Sequence, residues 1–267
     1  MEDFEFLKKV NALKERRHAE GQATQATCLG EVLQTCPSPL TGLKSKPKPC
    51  AQCGKVRPLG LFDKCGQCYR RMMFEAMPQD EKEHTIAAVV PPRYLEAQIE
   101  HLSAKLQEII KTLPEDKGLL LWGAPGVGKT YAMAALARHY ISEGFAAART
   151  GYELLCLQLR DTFKSKARET ELSVIKPLLS ADKLFIEDIG TTKSEGNIES
   201  DFSVRTLLVL LDWRLENCLA TYLTTNRPVE ELAKTFDERV ASRLLQACEV
   251  VKLTGQDKRR AICESKQ

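Results

Sequence analysis

The eight residues Gly123 to Thr130 read GAPGVGKT and follow directly on the apolar run Leu119, Leu120, Leu121, Trp122. A glycine-rich loop between a buried strand and a helix can wrap successive backbone N–H groups around the phosphates of a nucleotide. Lys129 can reach the β- and γ-phosphates, and the Thr130 hydroxyl can ligate Mg²⁺. The candidate nucleotide-binding set is Gly123, Ala124, Pro125, Gly126, Val127, Gly128, Lys129, Thr130 and Tyr131. Further along, Lys183 to Gly190 reads KLFIEDIG, an apolar strand ending in two carboxylates. In register, Glu187 takes the magnesium slot beside Thr130, and Asp188 the slot of the base that polarises the attacking water. Tyr222 to Asn226 reads YLTTN, where Asn226 can hydrogen-bond both the γ-phosphate and the lytic water; a helix cap before Pro228 is the plainer reading. In DERVASRL, Asp237 to Leu244, Arg239 and Arg243 are four apart and share one helical face. A guanidinium supplied across a subunit boundary would stabilise transition-state charge, whereas surface arginines are ordinarily only solvated. The chemistry these residues point to is binding of ATP or GTP with magnesium-assisted hydrolysis.

A second constellation lies upstream. Cys50-x₂-Cys53 and Cys65-x₂-Cys68 are separated by eleven residues. Two such knuckles present four thiolates tetrahedrally, the arrangement Zn²⁺ prefers, and the set has no open position for catalysis. Gly54 and Gly66 each follow a ligand, where a tight turn needs a permissive backbone. A redox dithiol would need only one pair, and four unrelated buried thiols are the bland alternative. A segment this short cannot build its own core, so the metal would hold it folded.

These groups need a scaffold. Residues 2–19 have helical spacing, and residues 21–49 read as a linker or irregular edge, as in CPSPLTGLKSKPKP. Residues 72–92 form a helical or irregular connector. From about Arg93 the pattern becomes α/β. A helix is predicted over roughly Tyr94 to Thr112, and five strands are centred on Leu119–Trp122, Phe145–Ala148, Leu184–Ile186, Thr221–Leu223 and Val250–Leu253. Helices are predicted over Lys129 to Ser142, Tyr152 to Phe163 and Asp201 to Leu215. Strands alternating with helices predict a mostly parallel sheet covered on both faces.

Composition narrows the class. The chain has 267 residues, 43% hydrophobic and 28% charged, with a net charge of +3. Between Lys44 and Arg71 there are eight Lys/Arg against one acid, Asp63, so that segment carries +7, a patch suited to phosphate backbones or to plain solvation. No apolar run approaches a membrane span, and the N-terminus MEDFEFLKKV lacks a signal-peptide core. A cytoplasmic protein is expected, in which the ten cysteines are not a disulfide framework.

Taken in order and spacing, GAPGVGKT, LFIEDIG, YLTTN and DERVASRL resemble the AAA+ ATPases of the DnaC/IstB group, as do PPRYLEAQIEHL before the loop and TGQDKRR near the end. The resemblance covers about Pro91 to Arg260. It implies an α/β P-loop core with a five-stranded parallel sheet in the order 5-1-4-3-2, and a nucleotide held between neighbouring subunits. Lys129 and Thr130 become Walker A residues, Glu187 and Asp188 Walker B, Asn226 sensor 1, and Arg243 the first arginine-finger candidate with Arg239 second. The family usually shows Asp first in Walker B; the Glu-then-Asp order here predicts slow hydrolysis. The chain stops soon after the last strand, which predicts little or no helical lid.

The domain division expected is 1–85, a partner-binding module with a helix and a four-cysteine zinc ribbon at 50–71, and 86–267, the ATPase. A zinc-bearing N-terminal module is similar to DnaI-type helicase loaders. That similarity implies a module that grips a hexameric replicative helicase, a core that self-associates and contacts single-stranded DNA, and cofactors ATP, Mg²⁺ and Zn²⁺. Arg160, Lys164, Lys166 and Arg168 fall where the family places its DNA-facing insertion; a solvated helix end is the bland reading. Two other functions fit the core: an IstB-like helper of DNA transposition, and a nucleotide-gated adaptor that does not hydrolyse.

Overall fold

A computed structural model of the chain describes residues 48–57, 64–164, 169–190 and 199–257. The chain divides into two compact units, residues 1–36 and 37–267, and all described residues belong to the second. The helix expected over residues 2–19, Lys166 and Arg168 lie outside the described residues.

The second unit opens with a short antiparallel hairpin, β1 (Lys48–Pro49) and β2 (Val56–Arg57), pairing Lys48 with Arg57 and Pro49 with Val56. Helices α1 (Gly66–Ala76) and α2 (Gln79–Ala87) follow. The helix expected from Tyr94 to Thr112 is not continuous. Two 3₁₀ turns, Pro92–Tyr94 and Ile99–His101, precede α3, which runs only over Ala104–Thr112. Gln98 and Leu102 are extended, and the Ser103 side chain accepts from the Leu106 amide, opening a new helix. Serine competes for backbone hydrogen bonds and so favours such a cap over a helix interior. The apolar residues of this segment, Leu95, Ile99, Leu102, Leu106, Ile109 and Ile110, still pack on a common core.

The main sheet contains β3 (Gly118–Trp122), β4 (Ala147–Gly151), β5 (Lys183–Glu187), β6 (Ala220–Thr225) and β7 (Cys248–Lys252). Its spatial order is β4-β5-β6-β3-β7 and every pairing is parallel. Numbering these five strands one to five from β3, the order from the β7 edge reads 5-1-4-3-2, as the family resemblance implied. The crossover helices are α4 (Lys129–Ser142), α5 (Tyr152–Asp161), α6 (Glu171–Ser180), α7 (Asp201–Glu216), α8 (Val229–Thr235) and α9 (Glu238–Ala247).

Strand side chains alternate between two cores, as the period of two requires. Leu120, Ile186 and Leu223 meet α5 to α9 through Leu155, Leu178, Leu207, Leu232 and Leu244. Leu119, Leu121, Phe185 and Tyr222 meet α4 through Met133 and Leu136, and the same core takes in Phe74 of α1 and Ile86 of α2. The fully buried Arg214 of α7 ties α6 to the far end of the sheet: it donates to the carbonyls of Leu178 in α6 and Ala181 just after it, to Ala220 O and to Thr221 Oγ1. These bonds satisfy the orphan carbonyls at a helix C-terminus. No helix among the described residues is long and apolar enough to cross a membrane.

Candidate functional site: the phosphate loop and the cysteine cluster

Parallel pairing gathers the groups that sequence scatters. β3 pairs with β6 so that Trp122 lies opposite Thr225, one residue before Gly123 and Asn226 respectively. β5 flanks β6 on the other side, with Ile186 opposite Leu223. The carboxyl ends of all three strands therefore open on one crevice, where open α/β sheets bind ligands.

The loop from Gly123 to Gly128 uses backbone that only glycine adopts without strain. Gly123, Gly126 and Gly128 have φ of 152°, 81° and 103°, and Gly128 is the N-cap of α4. A Cβ at Gly123 would lie 2.2 Å from Leu253 O, so the loop is also pressed against the chain leaving β7. The N-terminus of α4 thus faces the loop, the geometry that receives phosphate. Lys129 is only 6% exposed. Its Nζ donates to Gly123 O at 2.7 Å, Ala124 O at 3.0 Å and Asn226 Oδ1 at 2.6 Å. Lys129 and Asn226, 97 residues apart, are therefore in direct contact.

The end of β5 is stitched to the end of β6. Asp188 N donates to Thr224 Oγ1 and Ile189 N to Thr224 O, both at 2.9 Å, and Thr225 Oγ1 returns a bond to Ile189 O. Asp188 is exposed and holds φ at 58°, in the left-handed region. That conformation costs on the order of 1–2 kcal/mol for a residue with a Cβ, and the bonds to Thr224 hold it. Glu187 is buried, and Arg149 Nε of β4 donates to its Oε1 at 2.8 Å. Sequence reading did not single out Arg149, Thr224 or Asp257. A carboxylate oxygen of Asp257 lies where a Cβ on Gly126 would sit, 1.8 Å from that ideal position. The lone charge in the small-residue run AAART was the one available signal for Arg149.

These residues fit a magnesium–nucleotide. The loop amides and Lys129 would hold the phosphates, Thr130 and Glu187 the ion, and Asp188 with Asn226 the attacking water; the nucleotide supplies the phosphoanhydride to be cleaved. Tyr131, the last of the candidate binding residues, points toward the N-terminal segment, where its hydroxyl bonds His101 Nδ1 at 2.7 Å and its ring meets Tyr94 edge-on. Arg239 and Arg243 do not join the cluster within one chain. Arg239 donates twice to Asp237, the N-cap of α9, and Arg243 donates to Asp212 of α7 and to Gln246. Their side chains are 76% and 45% exposed.

The four cysteines converge as expected, on a different framework. Cys50 and Cys53 sit in the turn of the β1–β2 hairpin, where Gly54 has φ 68° and its amide bonds Cys50 O. The second pair is not a matching hairpin. Cys65 is the N-cap of α1 and Cys68 lies in its first turn, so Gly66 is a helical residue and not the turn glycine that a two-hairpin ribbon would need. All four Sγ atoms lie within 4.8 Å of one another, and Cys53 and Cys65 are 3.9 Å apart. Tetrahedral thiolates on zinc are separated by about 3.8 Å, given Zn–S near 2.3 Å. Burial works against a Cys50 thiolate, but the amides of Cys65, Cys53 and Gln52 outweigh it and bring the thiol down to about 6. Burial and the neighbouring thiols push Cys65 and Cys68 up. Four thiols gathered at this spacing are a donor set that a divalent cation such as Zn²⁺ completes.

This cluster is anchored on the core. Arg70, two residues past Cys68, is 5% exposed; its Nε donates to Gly144 O at 2.8 Å and it ion-pairs with Asp182. Arg71 pairs with Glu143, and Lys55 of the hairpin with Glu115.

At the exit of α5, Arg160 lies over the Phe202 ring at 5.5 Å, and Phe163, 62% exposed, meets the same ring edge-on at 5.9 Å. Lys164 pairs with Asp161. Arg160, Asp161 and Lys164 line a cleft of about 460 Å³.

Comparison with known proteins agrees with this geometry. The replicative helicase loader DnaI of Bacillus subtilis (strain 168) is 22% identical over 175 residues, 61% of this chain and 54% of DnaI, so the match spans about half of that protein's length. Among solved structures, a DnaC helicase loader superposes with a TM-score of 0.52 at 22% identity, covering 61% of this chain and 99% of that one. A DnaI structure gives 0.53 at 18% identity over 65% and 98%. AMPPCP-bound DnaA from Aquifex aeolicus gives 0.52 at 15% identity over 66% and 55%. These likenesses carry the AAA+ fold. The family model described as IstB-like ATP binding protein matches residues 99–264, which include Gly123 to Tyr131, Glu187, Asp188 and Asn226, and the chain belongs to that family.

Proposed function

We propose that the chain is an ATPase that loads a replicative helicase onto single-stranded DNA. The observation that carries the ATPase part is the junction of Lys129 with Asn226 beside the stitched ends of β5 and β6. Lys129, Glu187, Asp188 and Asn226 act within one subunit on ATP and Mg²⁺, and Arg243, with Arg239 second, completes a neighbour's pocket on self-association. The exposure of both guanidiniums supports a role outside their own chain. The Glu-then-Asp order and the Arg149 pairing favour slow turnover.

The loader part rests on the partial similarity to DnaI and on two features of this chain. The Cys50, Cys53, Cys65, Cys68 cluster, holding Zn²⁺, lies within the segment Lys44 to Arg71 that carries +7. The Arg160–Phe202–Phe163 stack offers an exposed aromatic face beside cationic groups, which is how single strands are gripped without sequence preference. Residues 1–85 take the partner-gripping role and 86–267 the ATPase role. The division is one of labour, since α1 packs on the ATPase core.

The match to the IstB-like family favours a second reading, a helper of DNA transposition that coats duplex DNA. Affinity capture by the full-length chain with ATP separates the two. The loader reading expects a hexameric helicase and an ATPase rate raised by single-stranded DNA. Recovery of a transposase, with stimulation by duplex DNA instead, overturns it. A flat, near-zero rate with either DNA overturns the enzyme reading in favour of an adaptor.

A further inference from the structure

Glu187, assigned above to magnesium, already has a cation of the chain's own. Arg149 on the edge strand β4 lies opposite Phe185, and Glu187 lies two residues beyond Phe185 on β5. The two side chains are therefore diagonal neighbours on one face of the sheet, the relation in which long side chains meet across strands. The Arg149 Nε to Glu187 Oε1 distance is 2.8 Å, with side chains 23% and 8% exposed. A carboxylate this buried requires a counter-charge. The proposed nucleotide chemistry supplies one, Mg²⁺, and gives Arg149 no task.

We infer that Arg149 is a positioning residue that competes with Mg²⁺ for Glu187, so that loading the magnesium–nucleotide is a charge exchange: the guanidinium leaves the carboxylate as the metal takes it. The inference rests on the nucleotide reading and deepens it. Two effects act in the same direction. The metal must displace a part-buried, charge-assisted hydrogen bond. A guanidinium left nearby also repels a divalent ion through a medium of modest dielectric. Arg149 therefore raises the magnesium concentration needed to lock nucleotide in place. Only Thr150 and Gly151 separate it from α5, so the exchange acts on the strand that leads into the Arg160 and Lys164 end of that helix.

The test is equilibrium binding of a fluorescent ATP analogue to the full chain, titrated with MgCl₂ and repeated in EDTA. Arg149→Gln is expected to lower the magnesium midpoint about fivefold or more, given the size of Coulomb terms at such distances. Its EDTA affinity is expected to stay within about twofold of wild type, because uniform binding by the loop amides and Lys129 does not involve Arg149. Arg149→Lys, which keeps the charge and loses the fork, should fall between. In a Glu187→Gln background the competition for the carboxylate is gone, so Arg149→Gln should lower the midpoint by less than half of its effect in the wild-type background, the remainder being direct repulsion. An unchanged or raised midpoint in Arg149→Gln overturns the inference, as does equal weakening with and without magnesium, which marks a merely structural role. If Arg149→Gln does not fold, judged by its thermal melt, Arg149→Lys with and without Glu187→Gln decides on the same criteria. Failure of the wild-type chain to bind the analogue at all overturns the nucleotide reading instead.

Discussion

The phosphate-loop centre and the cysteine cluster gather their groups by opposite means. The first draws residues from 123 to 226 onto one crevice, and the parallel register does the gathering. Its polar groups already satisfy one another: Lys129 on loop carbonyls and Asn226, Glu187 on Arg149, Asp188 on Thr224. The second draws four thiols from nineteen residues, Cys50 to Cys68, held among the described residues by a two-rung hairpin and the start of a helix. A site assembled by a sheet is preformed. A site assembled by a turn depends on what it binds.

The two are also joined. Phe74 is buried in the same core as Met133 and Leu136, and Arg70 bonds Gly144 O and Asp182. An independent arm would have left these contacts unmade. Removal of a metal held by the four cysteines is therefore expected to reach the phosphate-loop core.

The largest effect should come from Lys129→Ala. It removes the charge that the loop is built around, and nucleotide-dependent assembly, read by sedimentation, should vanish while zinc content stays at wild-type level. Retained assembly with ATP would contradict the preformed site. Next, Arg243→Ala should lower the ATPase rate on the order of 10³-fold, the scale for an arginine finger, with ATP affinity unchanged. An equal loss of both would place Arg243 in its own chain's pocket and remove the subunit boundary from the account.

A third test addresses the joint between the regions. Cys50→Ser should abolish zinc binding and also lower the stability of the whole second unit by about 2–4 kcal/mol, the range for losing a buried aromatic contact and a part-buried ion pair. The matching change, Phe74→Ala, should lower stability similarly while zinc stays bound. A core whose melting temperature ignores the zinc would make the module an appendage. The smallest effect should be Phe163→Ala, which is expected to weaken single-stranded DNA binding by about 1–3 kcal/mol with ATP affinity intact.

The phosphate loop, the two carboxylates and the alternating elements were legible because each rests on a local rule, a strand feeding a glycine loop feeding a helix. The strand order came from family resemblance, not from periodicity. What stayed hidden was set by tertiary context. The Tyr94–Thr112 segment keeps helical spacing of its apolar residues while Gln98 and Leu102 are extended, so pattern alone could not reveal the break. Helix α6 was obscured by Pro177 in its interior, where the missing N–H argues against a helix. Arg149 showed only as a lone charge in a small-residue run, since its meaning lies in a strand pairing, and Gly66 misled because a glycine after a cysteine suits a turn and a helix start alike. The arginines of α9 were found by motif; their partners Asp237 and Asp212 were not.

The most direct test of the central claim is a crystal structure of the chain with a non-hydrolysable ATP analogue and magnesium. The account predicts the β- and γ-phosphates on the amides of residues 125–130, Lys129 Nζ turned from the Gly123 and Ala124 carbonyls onto the phosphates, and the ion between Thr130 and Glu187. A nucleotide bound elsewhere, or phosphates in the loop with Glu187 and Asp188 both directed away from the ion, would contradict it.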